Sequence, residues 1–97
     1  MRIRYTPRAF GDLVRIRAYL NDKSPRAAEA VIGAIEAGVQ RLERFPVSAE
    51  EVPGGSIRVL TIRQYSYRVF FRSWGEEVVI LHIRNTRRRP WTAPTGP

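Results

Sequence analysis

The sequence predicts an α+β fold in which a helical hairpin packs on one face of a small, mainly antiparallel sheet. Three observations lead to this prediction. Two segments with apolar residues at helical spacing follow a short N-terminal strand. A loop rich in Pro and Gly then separates them from the second half of the chain. After this loop the apolar period changes to two, which is typical of strands, so the predicted order is β-α-α-β-β-β.

The first half of the chain is predicted to form one strand and two helices. The alternating residues 2–6 indicate a short strand. Thr6-Pro7 and Ser24-Pro25 each combine a hydroxyl cap with a proline, a common way for a helix to begin. The apolar stripe of the first helix is Ala9, Leu13, Ile16 and Leu20. That of the second helix is Ala28, Val31 or Ile32, Ile35, Val39, Leu42 and Phe45. The short connection between them predicts an antiparallel hairpin.

Three strands are predicted after a loop at residues 46–56. They occupy 57–62, 65–71 and 77–84, which are rich in β-branched and aromatic residues. Gly75-Glu76 fits a two-residue type II′ hairpin turn, since glycine comes first. This turn predicts four cross-strand pairs: Trp74 with Glu77, Arg72 with Val79, Phe70 with Leu81, and Arg68 with Ile83.

The predicted register assigns the side chains of the last two strands to two faces. One face carries Tyr67, Val69, Phe71, Val78 and Ile80. The other carries Arg68, Phe70 and Arg72 beside Val79, Leu81 and Ile83. Two helices cover only one face, and we expect the arginine-bearing face to stay open as a partner-binding surface. The alternatives are that the first strand or the tail covers its apolar row, or that a three-residue loop exchanges the two faces.

Length and composition indicate one folded domain. The 97 residues, 43% of them hydrophobic, are enough for a packed core, which we expect to span residues 1–91 and to be followed by a flexible tail at 92–97. The absence of cysteine excludes disulfides and thiolate metal sites. No apolar stretch resembles a signal segment or a membrane span, so we expect a cytoplasmic protein without membrane contact.

The charge is strongly positive and unevenly distributed. The chain has 17 basic and 9 acidic residues, a net charge of +8, and all basic residues except Lys23 are arginine. Residues 53–97 have eight basic and only two acidic groups. Such a basic half suits a polyanion or an acidic protein partner, although a generally solubilised surface is the simpler alternative.

Few residues suggest acid–base or metal chemistry. His82 is the only histidine, and its place on a strand favours a structural or partly exposed role over that of a base. One histidine, no cysteine and scattered carboxylates predict neither a metal site nor a cofactor.

The chain resembles the RelE/ParE toxin family over about residues 1–91. The resemblance runs through residues 5–46, then 57–72 (IRVLTIRQYSYRVFFR) and 78–91 (VVILHIRNTRRRPW). The long helices with DL..I..YL and SP.AA are more similar to the ParE-like branch. The resemblance implies the toxin of a bacterial type II toxin–antitoxin system, neutralised in a hetero-oligomer by a cognate antitoxin that wraps a flexible segment around it.

The family resemblance leaves two targets open, DNA gyrase or mRNA on the ribosome. RelE-like nucleases resemble this chain at Arg68 and around Arg87 and Arg88, where arginines would stabilise a phosphate. Their strand lysines are missing, since Val59 and Thr61 lie there, and Asn85 stands near the position of a histidine found in many members. Arginine hardly releases a proton, so the nuclease equipment is incomplete. We therefore favour a non-enzymatic gyrase inhibitor over a ribosome-dependent endoribonuclease, with a DNA-binding regulator as a remote alternative.

The predicted site residues follow from these hypotheses. For an endoribonuclease, the phosphate-holding residues would be Arg68, Arg84, Arg87 and Arg88, with Trp91 or a sheet tyrosine to stack a base. The predicted target-binding residues are Arg84, Arg87, Arg88, Arg89 and Trp91. The predicted antitoxin-binding residues are Phe70, Arg72 and Leu81, together with the outer face of the helical hairpin.

Overall fold

The computed structural model describes residues 2–44, 50–51 and 56–87, and it confirms the predicted α+β fold. The two helices are α1 (Pro7–Lys23) and α2 (Pro25–Arg44). The strands are β1 (Arg2–Tyr5), β2 (Glu50–Glu51), β3 (Arg58–Ile62), β4 (Tyr67–Trp74) and β5 (Glu77–Asn85). The predicted tail and the predicted core residue Phe45 lie outside the described residues.

The five strands form one sheet in the order β1-β5-β4-β3-β2. β1 pairs with β5 in parallel, and the other neighbours are antiparallel. The strands differ from the sequence prediction in two places. β2 lies in the segment predicted to be a loop, and β4 spans Tyr67–Trp74 rather than residues 65–71. A 3-10 turn at Arg63–Tyr65 and the left-handed backbone of Ser66 (φ 61°) connect β3 to β4, so Tyr65 cannot extend the strand.

Both helices begin at the predicted hydroxyl caps. The backbone N–H of Ala9 donates to Oγ1 of Thr6 at 3.1 Å, and that of Ala27 donates to Oγ of Ser24 at 3.2 Å. Each bond satisfies a helix-terminal N–H that has no partner within the helix. The Thr6 N–H also donates to the carbonyl of Ile80 at 3.0 Å, which ties the start of α1 to β5.

The core lies between the helical hairpin and one face of the sheet. The sheet contributes large, fully buried side chains, among them Val69, Phe71, Val78 and Ile80. The predicted apolar stripes of both helices are buried on their inner side; the members that join this core cluster are Ala9, Val31, Ile35, Val39 and Leu42. The helices therefore cover one face of the sheet, as predicted.

The hairpin between β4 and β5 has the predicted turn but a shifted register beyond its middle. Gly75 has φ +60°, and within the described ranges Ser66 is the only other residue with positive φ, which fits a type II′ turn at Gly75-Glu76. The pairs Trp74–Glu77 and Arg72–Val79 are confirmed. The other two predicted pairs are wrong: Phe70 pairs with His82, and Arg68 pairs with Arg84.

A β-bulge at Leu81 causes this difference. Phe71 pairs with Ile80 and Phe70 pairs with His82, so Leu81 is an extra residue on β5. The extra residue exchanges the faces of the following side chains. Ile83, predicted on the open face, therefore joins the core with 2% exposure, and His82 takes its place on the other face.

Candidate functional site on the open face of the sheet

The sheet face that points away from the helices carries five arginines from three strands. We call this surface the arginine face; its basic members are Arg2, Arg4, Arg68, Arg72 and Arg84. Arg4 on β1 and Arg72 on β4 both lie beside Val79 on β5, because each is a cross-strand neighbour of Val79. Arg2 and Trp74 lie on either side of Glu77 in the same way. The positive charge that the sequence places in the second half is therefore joined by arginines of β1.

Arg68 and Arg84 lie directly opposite each other on β4 and β5. Like charges at directly opposed positions destabilise a sheet, so this arrangement is better suited to binding an anion than to stabilising the fold. Arg68 is exposed and Arg84 is half-buried. Thr61 lies beside Arg68 on β3, and guanidinium groups are well suited to bind a carboxylate or phosphate.

The predicted target-binding residues begin on this face. Arg84 lies in β5, and Arg87 is exposed just beyond the end of the strand. The Arg87 N–H donates to Oδ1 of Asn85 at 2.8 Å, which fixes the backbone where the basic run starts. Arg88, Arg89 and Trp91 lie outside the described residues.

A groove of about 290 Å³ lies near the hairpin end of the arginine face. It is lined by Arg4, Thr6, Arg72, Trp74, Val79 and Leu81. Two of the predicted antitoxin-binding residues, Arg72 and Leu81, therefore share one concave surface. Nε of Arg72 is buried and has no hydrogen-bond partner among the described residues, so an acceptor from a bound partner would satisfy it.

Phe70, the third predicted antitoxin-binding residue, is not part of this groove. Its expected exposure is wrong, since the side chain is only 5% exposed. The bulge places it beside His82, and the two rings stack with centroids 6.1 Å apart. Its role in antitoxin binding remains a prediction that no contact in the groove supports.

Sequence reasoning missed Trp74, which is 68% exposed at the hairpin tip. Its position directly before the predicted turn, on the same face as Arg72, is the signal that could have identified it. Exposed Trp beside Arg is a frequent composition of protein-binding surfaces.

His82 does not provide an open acid–base group on this surface. It is 8% exposed, and its Nδ1 lies 2.6 Å from Oδ2 of Asp12 in α1. Burial lowers the pKa of His82 below its usual value, against the opposing effect of Asp12, and Arg8 and Arg84 lower it further. In the tautomer with hydrogen on Nδ1, the neutral ring donates this hydrogen to Oδ2 of Asp12, so Nδ1 is occupied by the bond.

Asp12 is a second residue that sequence reasoning missed. Oδ2 also accepts the backbone N–H of Ile83 at 2.9 Å, and Oδ1 accepts from Arg15 at 2.6 Å. Its position between Ala9 and Leu13, beside the apolar stripe of α1, could have indicated that Asp12 is buried. The carboxylate stabilises the fold because it accepts the Ile83 N–H in the part of β5 that extends beyond its pairing with β1.

Among the described residues, no cluster of metal-ligating side chains lies beside the arginine face. In the ranges 2–44 and 56–87, no three His, Asp or Glu side chains come together as metal ligands would. Neither α1 nor α2 combines the length and the apolar character that a membrane span requires.

The helical hairpin, the small sheet and the arginine face belong to a chain whose sequence matches a family of toxins. Residues 3–90 match the family model described as the ParE toxin of the type II toxin–antitoxin system parDE. The chain belongs to this family. It is the toxin component of a type II toxin–antitoxin system, and the family implies an antitoxin as its partner.

A solved structure supports this assignment. The chain is similar to a protein of the chromosomal ParDE toxin–antitoxin system from P. aeruginosa, with 28% sequence identity and a TM-score of 0.74. The match covers 90% of this chain and 97% of that one. A comparison with curated proteins found no match.

Proposed function

We propose that this toxin stops growth by binding and inhibiting DNA gyrase without chemical catalysis. The observation that carries the proposal is that the cations of the arginine face are groups that do not titrate near neutral pH. Its cations are guanidinium groups, which hold a proton permanently, while the sole histidine of the sequence is buried against Asp12. Such a surface binds a large target through fixed charge and hydrogen bonds. Gyrase acts on the chromosome, so this proposal places the toxin in the cytoplasm.

In this proposal, the target-binding surface is the end of β5 and the segment that follows it. Arg84 and Arg87 lie at the edge of the arginine face, and Arg88, Arg89 and Trp91 continue the basic run. Arginine and tryptophan are over-represented among residues that dominate binding energy at protein interfaces.

The antitoxin would occupy the groove that contains Arg72 and Leu81. An acidic segment fits a surface with five arginines and Glu77, because its charge is complementary. The exposed Trp74 would provide an apolar anchor in the same groove. Neutralisation then follows from occupation of the arginine face or from steric exclusion of gyrase.

The endoribonuclease remains the second candidate because Arg68 and Arg84 lie opposite each other. This pair, together with Arg87, would hold the scissile phosphate if the chain cleaves RNA as RelE-like nucleases do. The proton transfers of RNA cleavage would still need another group, since His82 is held by Asp12 and its lowered pKa leaves little protonated ring to act as an acid at neutral pH.

The deciding experiment compares both activities in one protein preparation. The full chain is added to a gyrase supercoiling assay and, separately, to translating ribosomes with a defined mRNA. We expect loss of supercoiling and an intact mRNA. Codon-specific cuts with unaffected gyrase would overturn the proposal and establish the nuclease.

The control for this experiment is a matched arginine variant. Arg84→Ala removes a cation from the arginine face, and we expect it to weaken gyrase inhibition. Arg26→Ala removes an exposed cation from the first turn of α2, away from that face, and we expect it to inhibit like the parent.

A further inference from the structure

One donor on the arginine face is left without an acceptor. Nε of Arg72 is buried and has no hydrogen-bond partner among the described residues. The same side chain lines the groove of about 290 Å³ near the hairpin end. A buried N–H without an acceptor costs free energy, so native structures keep few of them, and a bound group is one explanation for those that remain. Arg72 is therefore the residue of this face from which a ligand can be inferred.

The sheet places a second arginine on the other side of the groove. Arg4 on β1 and Arg72 on β4 are both cross-strand neighbours of Val79 on β5. Neighbouring strands lie about 4.8 Å apart, so the Cα atoms of the two arginines are about 10 Å apart and both side chains can extend over Val79. Val79 and Leu81 contribute apolar surface to the groove between them. A ligand held by both arginines would thus rest on an apolar floor.

The net charge of this groove is low for a site with two arginines. Nε of Arg4 lies 3.1 Å from Oε2 of Glu77, two residues before Val79. Two guanidinium groups and one carboxylate give a net charge of +1. A singly charged anion matches this value, whereas a doubly charged phosphate would exceed it and would be repelled by Glu77. The apolar floor favours an anion that carries a hydrocarbon stem.

We propose that Arg72 and Arg4 form a binding site for one organic carboxylate. The carboxylate oxygens accept from Nε and one Nη of Arg72, the two-point arrangement that a guanidinium fork allows, and Arg4 supplies the second cation. The hydrocarbon stem lies on Val79 and Leu81. Nε is closed to solvent in the free chain, so the side chain of Arg72 turns when the ligand enters. In the toxin–antitoxin complex the ligand is a Glu or Asp side chain of the antitoxin; this last step rests on the proposed function, while the site itself does not.

Titration of the full chain with butyrate tests the site without a partner protein. The nitrogen–proton NMR signal of the Arg72 Nε–H is identified by its loss in Arg72→Lys. We expect this signal to move downfield as butyrate is added, with a Kd on the order of 1–10 mM for so small a ligand. Butyramide has the same shape without the charge and should leave the signal in place. A signal that does not move up to about 100 mM butyrate would overturn the proposal.

Two further anions test the class of ligand. Acetate has a shorter stem and should bind about three- to tenfold more weakly than butyrate, because it leaves part of the apolar floor uncovered. Inorganic phosphate at equal ionic strength should also bind more weakly than butyrate. Glu77→Gln removes the nearby carboxylate and should strengthen phosphate binding more than butyrate binding. If phosphate binds the parent more tightly than butyrate does, the carboxylate assignment is wrong.

Two matched exchanges test the guanidinium fork. Arg72→Lys keeps the positive charge but has no fork, and it should weaken butyrate binding by about tenfold or more. The indole N–H signal of Trp74, which borders the groove, reports binding in this variant. Arg26→Lys makes the same exchange at an exposed position of α2 and should bind like the parent. Circular dichroism establishes that both variants are folded. Equal butyrate affinities for the two variants would contradict a role of the fork.

Competition with the antitoxin separates the site from its natural ligand. Butyrate at about ten times its Kd should weaken antitoxin binding by about tenfold, while butyramide at the same salt concentration should not. If butyrate binds but does not compete, the carboxylate site stands and its assignment to the antitoxin is overturned. If the antitoxin binds but butyrate does not, the carboxylate site is overturned and the proposed function is unaffected.

Discussion

Asp12 connects three parts of the molecule through one buried carboxylate. Its oxygens accept hydrogen bonds from Arg15 on its own helix, from the ring of His82 and from the backbone of Ile83. β1 pairs with β5 only as far as Ile80, so the edge of β5 beyond that point needs another acceptor. The carboxylate supplies it, and the bond also fixes the orientation of the His82 ring. At this scale, the fold uses two buried ionisable groups, Asp12 and His82, for structure.

The lowered pKa of His82 predicts a loss of stability at acidic pH. Burial disfavours the charged ring, so the unfolded chain binds a proton more readily than the folded one. The contribution of His82 is fully present above the unfolded pKa of about 6.5 and is lost as the pH falls toward the lower folded pKa. His82→Gln removes this titration. Urea unfolding from pH 7.5 to 5.5 should show the difference in unfolding free energy between parent and variant shrinking as the pH falls. A constant difference would contradict the prediction.

The arginines after β5 predict a separation of toxicity from antitoxin binding. Arg87→Ala together with Arg88→Ala should weaken gyrase inhibition by about tenfold or more, since arginines at interfaces often contribute over about 1 kcal/mol. Antitoxin affinity should stay within about threefold, because the groove with Arg72 and Leu81 is unchanged. Growth after induction, supercoiling inhibition and calorimetric titration with antitoxin measure the three quantities. A double variant as toxic as the parent would show that this segment does not bind the target.

At the scale of elements, the Leu81 bulge is the feature that arranges the site. It lets the first half of β5 pair in one register and the second half in another. Without it, Ile83 would lie on the open face and Arg84 would point toward the helices. With it, Ile83 enters the core and Arg84 lies opposite Arg68. One inserted residue therefore both completes the core and assembles the paired arginines.

Two glycines of α2 give a matched prediction for helix packing. A Cβ at Gly38 would lie 2.7 Å from Cδ1 of Ile62 and 3.1 Å from Cδ2 of Leu60, while a Cβ at Gly33 would meet nothing within 4 Å. We expect Gly38→Ala to destabilise the fold by about 1–3 kcal/mol, because the side chains of Ile62 and Leu60 must leave their packed positions. Gly33→Ala should stabilise it by about 0.5–1 kcal/mol, since alanine is the better helix former. Denaturant unfolding of both variants measures the effects, and equal shifts would refute close packing at Gly38.

At the scale of the whole molecule, the sheet separates two surfaces of different charge. Its open face collects arginines from β1, β4 and β5, and its other face is closed by the helices. The helical layer turns a mixed-charge groove to solvent on the far side. The two sides of this small chain therefore differ in the charge that they present to a partner.

The charge asymmetry predicts that antitoxin capture depends on ionic strength. Long-range attraction between a basic face and an acidic segment accelerates encounter and is screened by salt. Raising NaCl from about 0.05 M to about 0.5 M should lower the association rate by about tenfold, with a smaller change in dissociation rate. Surface-plasmon resonance of the parent measures both rates, and Arg72→Ala should show a weaker salt dependence. An association rate insensitive to salt would contradict an electrostatic capture.

The sequence by itself determined those features that depend on near neighbours along the chain. Helical spacing, the caps at Thr6 and Ser24, and the turn at Gly75-Glu76 were all predictable, because each is set within a few residues. These features and the family resemblance were enough for the order of elements and for the toxin class. They also placed Arg68 and Arg72 on one face of the sheet, the face that we expected to stay open.

Only the tertiary structure decided the register after Leu81, the burial of Phe70 and the partnership of Asp12 with His82. Asp12 and His82 are 70 residues apart, and a strand accommodates an extra residue only when the packing around it favours the shift. The arginines of β1 join the arginine face because β1 pairs with β5, the far end of the chain. Contacts between distant segments are fixed by how the helices dock on the sheet, and no local pattern in the sequence encodes that docking.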